Sequence, residues 1–107
     1  MADLLEAGVL RDGLEALPGW AGDTTAITRT AALPTFPEAI TVVDQVAVAA
    51  EAMNHHPDID IRWRTLTFRC ATHSAGGVTA LDLELAAMIN GLLTSAGAED
   101  VTDRGGA

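Results

Sequence analysis

The chain has 107 residues and a formal net charge of −9, because 15 acidic residues stand against six arginines and no lysine. Such an acidic surface repels phosphates, so neither nucleic acid nor an anionic membrane is expected as a direct partner. The length fits a single domain, and a hydrophobic fraction of 49% predicts a folded one. The one cysteine, Cys70, excludes an internal disulfide. No apolar run reaches a membrane span and no signal segment is evident, so we expect a cytoplasmic protein.

Leucines recur at helical spacing near the start of the chain, at Leu10, Leu14 and Leu17. This spacing predicts a helix that ends at Pro18-Gly19, two residues that stop helices. Beyond it, the sequence predicts a short strand at Trp20, a turn, and a second strand over about residues 25–33.

A second helix is predicted from about residue 36 to residue 54. Thr35 and Glu38 form a capping box, and Pro37 falls in the first turn, where its missing N–H costs nothing. Pro57 disfavours helical backbone at the residue before it, so the helix should end near Asn54 or His55. The predicted helical stripe consists of Ile40, Val43, Ala47, Ala50 and either Met53 or Asn54.

The next segment alternates apolar and polar residues, but the alternation changes phase near Arg64-Thr65. This change indicates either a tight hairpin turn or a bulge between two strands. Cys70 lies on the apolar face of the second strand and is expected to be buried and inert.

Thr79 and Asp82 predict the N-terminal cap of a third helix. From about Ser95 the sequence predicts fraying. The order of elements predicts an α+β fold, a four-stranded antiparallel sheet with about three helices packed on one face, in one domain over residues 1–94 with a flexible tail over 95–107. The predicted buried face of the last helix consists of Leu81, Leu85, Met88, Ile89 and Leu92.

All three histidines, His55, His56 and His73, fall between Glu51 and Asp82. Histidine titrates near neutral pH, so their clustering indicates an acid–base site rather than scattered surface or capping residues. Glu51 lies four residues before His55, so its carboxylate is expected to orient that imidazole while His56 points elsewhere. A three-histidine zinc site is the rival interpretation, although adjacent histidines converge poorly on one ion. For Asp82 the structural role as a cap is preferred over catalysis.

The spacing of these residues resembles the signature of the pterin-4a-carbinolamine dehydratases. That signature runs acid, three residues, His-His-Pro, a short gap, an aromatic residue, nine residues, His, eight or more residues, Asp. Segments 14–20 and 76–82 extend the resemblance, which covers roughly residues 5–93. Every position of the signature is filled here, by Glu51, His55, His56, Pro57, Trp63, His73 and Asp82.

The resemblance implies dehydration of a 4a-hydroxytetrahydropterin to the quinonoid dihydropterin, with no metal and no cofactor. It implies that His55, His56 and His73 are catalytic, with His55 and His56 as acid and base in either order. Substrate binding would fall to Glu51, Asn54, Trp63 and Thr72, with Trp63 as a wall of the pocket. A homodimer or homotetramer is expected. The alternative is a dimerisation cofactor or assembly factor for a partner protein, which would retain the pocket.

Overall fold

The computed structural model describes residues 3–101. Three helices and five strands follow one another in it, with a single 3₁₀ turn at His73–Ala75 before the last helix. The elements are α1 (Ala7–Glu15), β1 (Ala21–Gly22), β2 (Ile27–Ala32), α2 (Phe36–Met53), β3 (Asp58–Arg62), β4 (Thr65–Cys70), α3 (Ala80–Ser95) and β5 (Glu99–Asp100).

The strands form one antiparallel sheet in the order β1-β2-β4-β3, and β5 pairs with β2 beside β1. The phase change near Arg64-Thr65 is a hairpin, since Arg62 pairs with Thr65 across a turn of two residues. One face of the sheet carries Ile27, Ala31, Leu66 and Phe68, which join buried residues of all three helices in a single core. The α+β prediction, with four main strands and helices on one face, is confirmed.

The buried faces of α2 and α3 differ from those that periodicity predicts. α2 buries Ala39, Val42, Val46 and Ala50, one residue away from most of the expected stripe. α2 carries apolar residues on most of its sides, so their spacing does not single out one face for burial. Packing against the sheet and the other helices decides which face is buried. The buried residues of α3 are Asp82, Leu85, Ala86, Ile89 and Leu93, whereas Met88 is exposed.

The segment after α3 includes a strand where sequence analysis expected fraying. β5 pairs Glu99 and Asp100 with the end of β2. Asp100 also accepts a 2.5 Å hydrogen bond from the guanidinium of Arg29, which is buried and bonds Asn90 as well. Since a buried cation needs a counter-charge, the contact between Arg29 and Asp100 stabilises the pairing of β5 with β2. The rest of the predicted tail, residues 102–107, lies outside the described residues, and the domain boundary at 94 stays a prediction.

No helix within residues 3–101 has both the length and the apolar character needed to cross a membrane.

One of the two hydrogen bonds of the predicted capping box of α2 is present. The Thr35 hydroxyl accepts from the Glu38 backbone N–H at 3.2 Å.

Candidate acid–base site

The C-terminus of α2 sends the two adjacent histidines in different directions. Asn54 adopts the left-handed conformation, with φ +52°, and its backbone N–H bonds the carbonyl oxygens of Ala50 and Glu51. The His55 N–H also bonds the Ala50 oxygen, at 3.0 Å, so the helix ends in a closed turn. After this turn His55 is buried and His56 is exposed.

His55 is held by Asp82, a residue 27 positions further along the chain. Its Nε2 lies 2.6 Å from Asp82 Oδ1, and the Asp82 side chain is fully buried. A carboxylate can only accept hydrogen bonds, so Nε2 is the donor and carries a proton. The other ring nitrogen, Nδ1, is therefore the one available to receive a proton from a ligand.

The second carboxylate oxygen of Asp82 is fixed by two threonines. Its Oδ2 accepts from the Thr79 backbone N–H and from the Thr72 hydroxyl, each at 2.8 Å. The Thr72 hydroxyl has one hydrogen, so it must accept from the Thr79 hydroxyl, which lies 2.8 Å away. Asp82 is thus both the partner of the predicted helix cap and the partner of His55. The prediction that Asp82 has a mainly structural role covered the helix cap but did not include the contact with His55.

Glu51 bonds His56 rather than His55, which corrects the expected pairing. The His56 Nε2 lies 2.5 Å from Glu51 Oε2, and more than half of each side chain is exposed. The helical i, i+4 argument failed because His55 lies beyond the closed turn of α2, where helical spacing no longer applies.

His73 follows Thr72 directly and begins the 3₁₀ turn, where it is exposed. The loop is closed by Thr72, whose N–H donates to the Gly77 oxygen at 2.8 Å. A side chain at Gly77 would meet the Thr24 backbone oxygen at 2.4 Å, so only glycine fits there. Thr72 binds Asp82 and Asp82 binds His55, so His73 directly follows a residue of the hydrogen-bond network that holds the buried imidazole.

Trp63 stands apart from the other predicted site residues. It lies in the turn between β3 and β4, whereas the histidines adjoin the opposite end of that hairpin. At about 3.3 Å per residue, β3 separates Trp63 from His56 by roughly 20 Å. Within one copy of the chain, Trp63 therefore does not line a pocket with His56. Asn54, also predicted to bind substrate, is exposed and forms the end of α2.

Within residues 3–101, no three histidine, cysteine or acidic side chains converge as a metal ion would require. A cavity of about 550 Å³ lies between α1 and β1, lined in part by Leu10, Leu14 and Trp20, and none of the three histidines lines it. The chain is thus an α+β domain in which two adjacent histidines each contact a carboxylate, and pairs of this kind occur among general acid–base enzymes.

Comparison with known proteins gives the particular family. The family model described as pterin 4 alpha carbinolamine dehydratase matches residues 3–92. A Nocardia farcinica protein bearing that enzyme's name is 50% identical over 90 residues, which cover 84% of this chain and 95% of the relative. A Roseiflexus castenholzii protein of the same name is 47% identical over 93 residues, covering 87% of this chain and 100% of the relative. The chain belongs to the pterin-4a-carbinolamine dehydratase family, which is named for a hydro-lyase.

Two solved structures are similar. The Brucella melitensis transcriptional coactivator/pterin dehydratase superposes with a TM-score of 0.81 at 33% identity, covering 84% of this chain and 98% of its own. A pterin dehydratase-like protein identified as a RuBisCO assembly factor of the alpha-carboxysome gives a TM-score of 0.56 at 16% identity, covering 68% and 84%. At that identity the second likeness shows the fold alone.

Proposed function

We propose that this chain dehydrates a 4a-hydroxytetrahydropterin to the quinonoid dihydropterin, a step of pterin recycling, by histidine acid–base catalysis. The observation that carries the proposal is the buried His55–Asp82 pair, whose atoms lie 2.6 Å apart inside a network that fixes the imidazole. His56, the next residue in the chain, carries a second imidazole that contacts a carboxylate, and the match to the family model supports the assignment.

The reaction breaks the bond between C4a and the hydroxyl oxygen. The departing hydroxyl takes up one proton and leaves as water, while a ring nitrogen loses one proton so that the quinonoid double bonds form. The two transfers balance. Catalysis therefore needs one group that donates a proton and one that accepts a proton on the same bound ring.

His55 suits the role of base. Its Nε2–H is held by Asp82, so Nδ1 is the nitrogen that accepts the ring proton, and the Asp82 carboxylate stabilises the imidazolium that results. His56 suits the role of acid, because its exposed side chain can recover a proton from water after each turnover. The two histidines would then have distinct roles, with Glu51 orienting His56.

The remaining predicted residues divide by position. Thr72 is buried and its hydroxyl is committed to Asp82, so it acts through Asp82 and not on the pterin. His73 and Asn54 are exposed. Both would contact the ring, with His73 assisting binding or the leaving oxygen. No step of this scheme requires a metal or an organic cofactor.

A second candidate is a non-catalytic role as a dimerisation cofactor or assembly factor for a partner protein. The Brucella melitensis protein is named both transcriptional coactivator and pterin dehydratase, and the similarity to it supports this second candidate function. A pure binding module has no need of two imidazoles positioned against carboxylates, which favours the enzyme.

Turnover of a 4a-hydroxytetrahydropterin tests the proposal. The wild-type protein should exceed the spontaneous dehydration rate, and a chelator should leave the rate unchanged. The His55→Ala, His56→Ala double variant should fall to the spontaneous rate while retaining its helical circular dichroism. A wild-type protein without activity, or a fully active double variant, would overturn the enzymatic function and favour the partner-binding one.

A further inference from the structure

The strand β5 lies beyond the part of the chain that matches the family model, which ends at residue 92. It pairs with β2 through Glu99 and Asp100 only, and the Val101 N–H adds one hydrogen bond to the Thr30 oxygen at 3.3 Å. Both residues of β5 are exposed. Among the contacts of this strand, the hydrogen bond between the Asp100 carboxylate and the Arg29 guanidinium joins two charged groups and is therefore the strongest.

The Arg29 guanidinium has one edge whose donors are only partly used. Its Nη1 donates to the Asn90 Oδ1 and to the Pro18 oxygen, while its Nη2 donates to Asp100 Oδ1 at 2.5 Å. The Nε–H is buried and has no acceptor within residues 3–101. The Nε–H and one N–H of Nη2 point the same way in the plane of a guanidinium, so a carboxylate facing this edge can accept from both. Asp100 accepts from only one of the two.

Gly19 packs against the flat face of this guanidinium. A Cβ added at Gly19 would lie 2.6 Å from Nε, 2.9 Å from Cζ and 3.0 Å from Cδ of Arg29. Such similar distances to three bonded atoms place the added Cβ above the plane of the group and not beside its Nε–H edge. Gly19 therefore covers the face of Arg29 and does not occupy the position of the missing acceptor.

Two cavities adjoin the contact between Arg29 and Asp100. One, of about 520 Å³, is bordered by α3, and the other, of about 310 Å³, is bordered by β2. Arg29 and Asp100 line both cavities, and none of the three histidines lines either. Close-packed contacts leave little unfilled space, whereas ligand sites are concave and contain a few polar groups. β5 therefore occupies a concave site that it does not fill.

We propose that Arg29 and the edge of β2 at residues 30–32 form a binding site for an extended acidic segment of a partner protein, and that β5 occupies this site as a tethered ligand. Peptides bind sheet edges by adding a strand, with main-chain hydrogen bonds for affinity and side-chain contacts for specificity. Here the specific contact is a carboxylate on Arg29. Only three residues separate α3 from β5, so β5 competes with a partner at an effective concentration on the order of millimolar. This inference is independent of the proposed dehydration, which takes place at the histidines.

Binding of a free peptide to the full-length chain tests the site. The probe is a fluorescein-labelled peptide with the sequence of residues 95–101, and its counterpart carries Asp100→Asn. In the protein, Asp100→Ala removes the carboxylate of the tethered strand, so fluorescence anisotropy should show saturable binding of the probe at least about 10-fold tighter than to wild type. The Asn peptide should bind about 10-fold more weakly than the probe, because it offers Arg29 no charged acceptor. The net charge of −9 gives no general attraction for acidic peptides, so this difference measures the contact with Arg29.

Two further variants are the controls. Asp58→Ala removes a carboxylate that lies 3.5 Å from Arg69 in an exposed pair, so it should bind the probe no better than wild type. Thr30→Cys and Val101→Cys, added to the Asp100→Ala chain, can link β5 to β2, because these two residues are hydrogen-bonded neighbours within the span of a disulfide. The oxidised chain should not bind the probe, and reduction should restore binding.

Absence of saturable binding to the folded Asp100→Ala chain would overturn this inference, and so would equal binding of the two peptides or binding to the oxidised chain. Acetate that displaces the probe at the probe's own concentration would show a site for free carboxylates and overturn the assignment to a peptide. If Asp100→Ala does not fold, the oxidised and reduced forms of the chain with Asp100 intact decide the same question at a higher probe concentration.

Discussion

The two adjacent histidines form the same chemical pair with a carboxylate in opposite surroundings. His55 and Asp82 are buried, and Asp82 accepts two further hydrogen bonds, whereas His56 and Glu51 are largely exposed. An exposed ion pair is screened and contributes little to stability, while breaking a buried pair leaves a polar group without a partner. The buried pair should therefore matter to folding and catalysis, and the exposed pair to catalysis only.

The largest expected effect is on turnover. His55→Ala removes the base whose charge Asp82 compensates, so kcat should fall by about 10³–10⁴-fold, and His56→Ala should cost about 10²-fold because water can replace an exposed acid in part. Steady-state kinetics of both variants check this, with Val48→Ala on the exposed face of α2 as the unchanged control. Equal losses for both histidines would remove the functional distinction between the pairs.

The next largest expected effect is the difference in the free energy of unfolding between variants that break the buried His55–Asp82 pair and the exposed His56–Glu51 pair. Asp82→Ala deprives His55, Thr72 and the Thr79 N–H of their acceptor, so we expect a loss of about 3–5 kcal/mol in the free energy of unfolding. Glu51→Ala breaks an exposed pair and should cost less than about 1 kcal/mol. Urea denaturation of both variants measures the difference. Similar losses would mean that burial of Asp82 does not matter to the fold.

The hydroxyl of Thr72 gives a smaller and sharper probe of the buried pair. Thr72→Val keeps the shape but leaves Asp82 Oδ2 short of one donor, which should cost about 1–3 kcal/mol and lower kcat. Thr67→Val is the matched control, because the Thr67 hydroxyl bonds Thr30 at 2.9 Å in a partly buried position. We expect the control to lose less stability and no turnover. A control as damaging as Thr72→Val would contradict a specific role for the network.

The smallest effect concerns Cys70, which neighbours the buried pair on β4. Burial, followed by the negative charges of Asp82 and Asp58, raises the pKa of the Cys70 thiol from its ordinary value of 9.0 to about 12. Between these pH values the unfolded chain loses this proton and the folded chain keeps it. This contribution to stability is therefore present below pH 9 and decreases by at most about 1.4 kcal/mol per pH unit above it.

Cys70→Ala should show a shallower loss of stability between pH 9 and 11 than wild type, measured by urea denaturation at each pH. In the native protein at pH 8, the thiol should resist alkylation until the chain unfolds. Rapid labelling of the folded protein would show that Cys70 is accessible, which the structure contradicts.

Local sequence determined where most elements begin and end. Thr35 and Thr79 cap α2 and α3, Pro57 follows the end of α2, and the phase change at Arg64-Thr65 marks the hairpin, because each of these effects acts within a few residues. The family signature likewise depends on spacing alone, and it predicts that the three histidines belong to one site. Of these, the structure shows His55 bonded to Asp82.

Only the tertiary structure decided which carboxylate meets which histidine. Glu51 is close to both imidazoles in sequence, but the closed turn at Asn54 turns His55 inward, and α3 brings Asp82 to it from 27 residues away. The same holds for the buried faces of α2 and α3 and for the Arg29–Asp100 contact that holds β5. Such pairings depend on how the elements pack, and sequence spacing carries no information on contacts between elements that are distant in the chain.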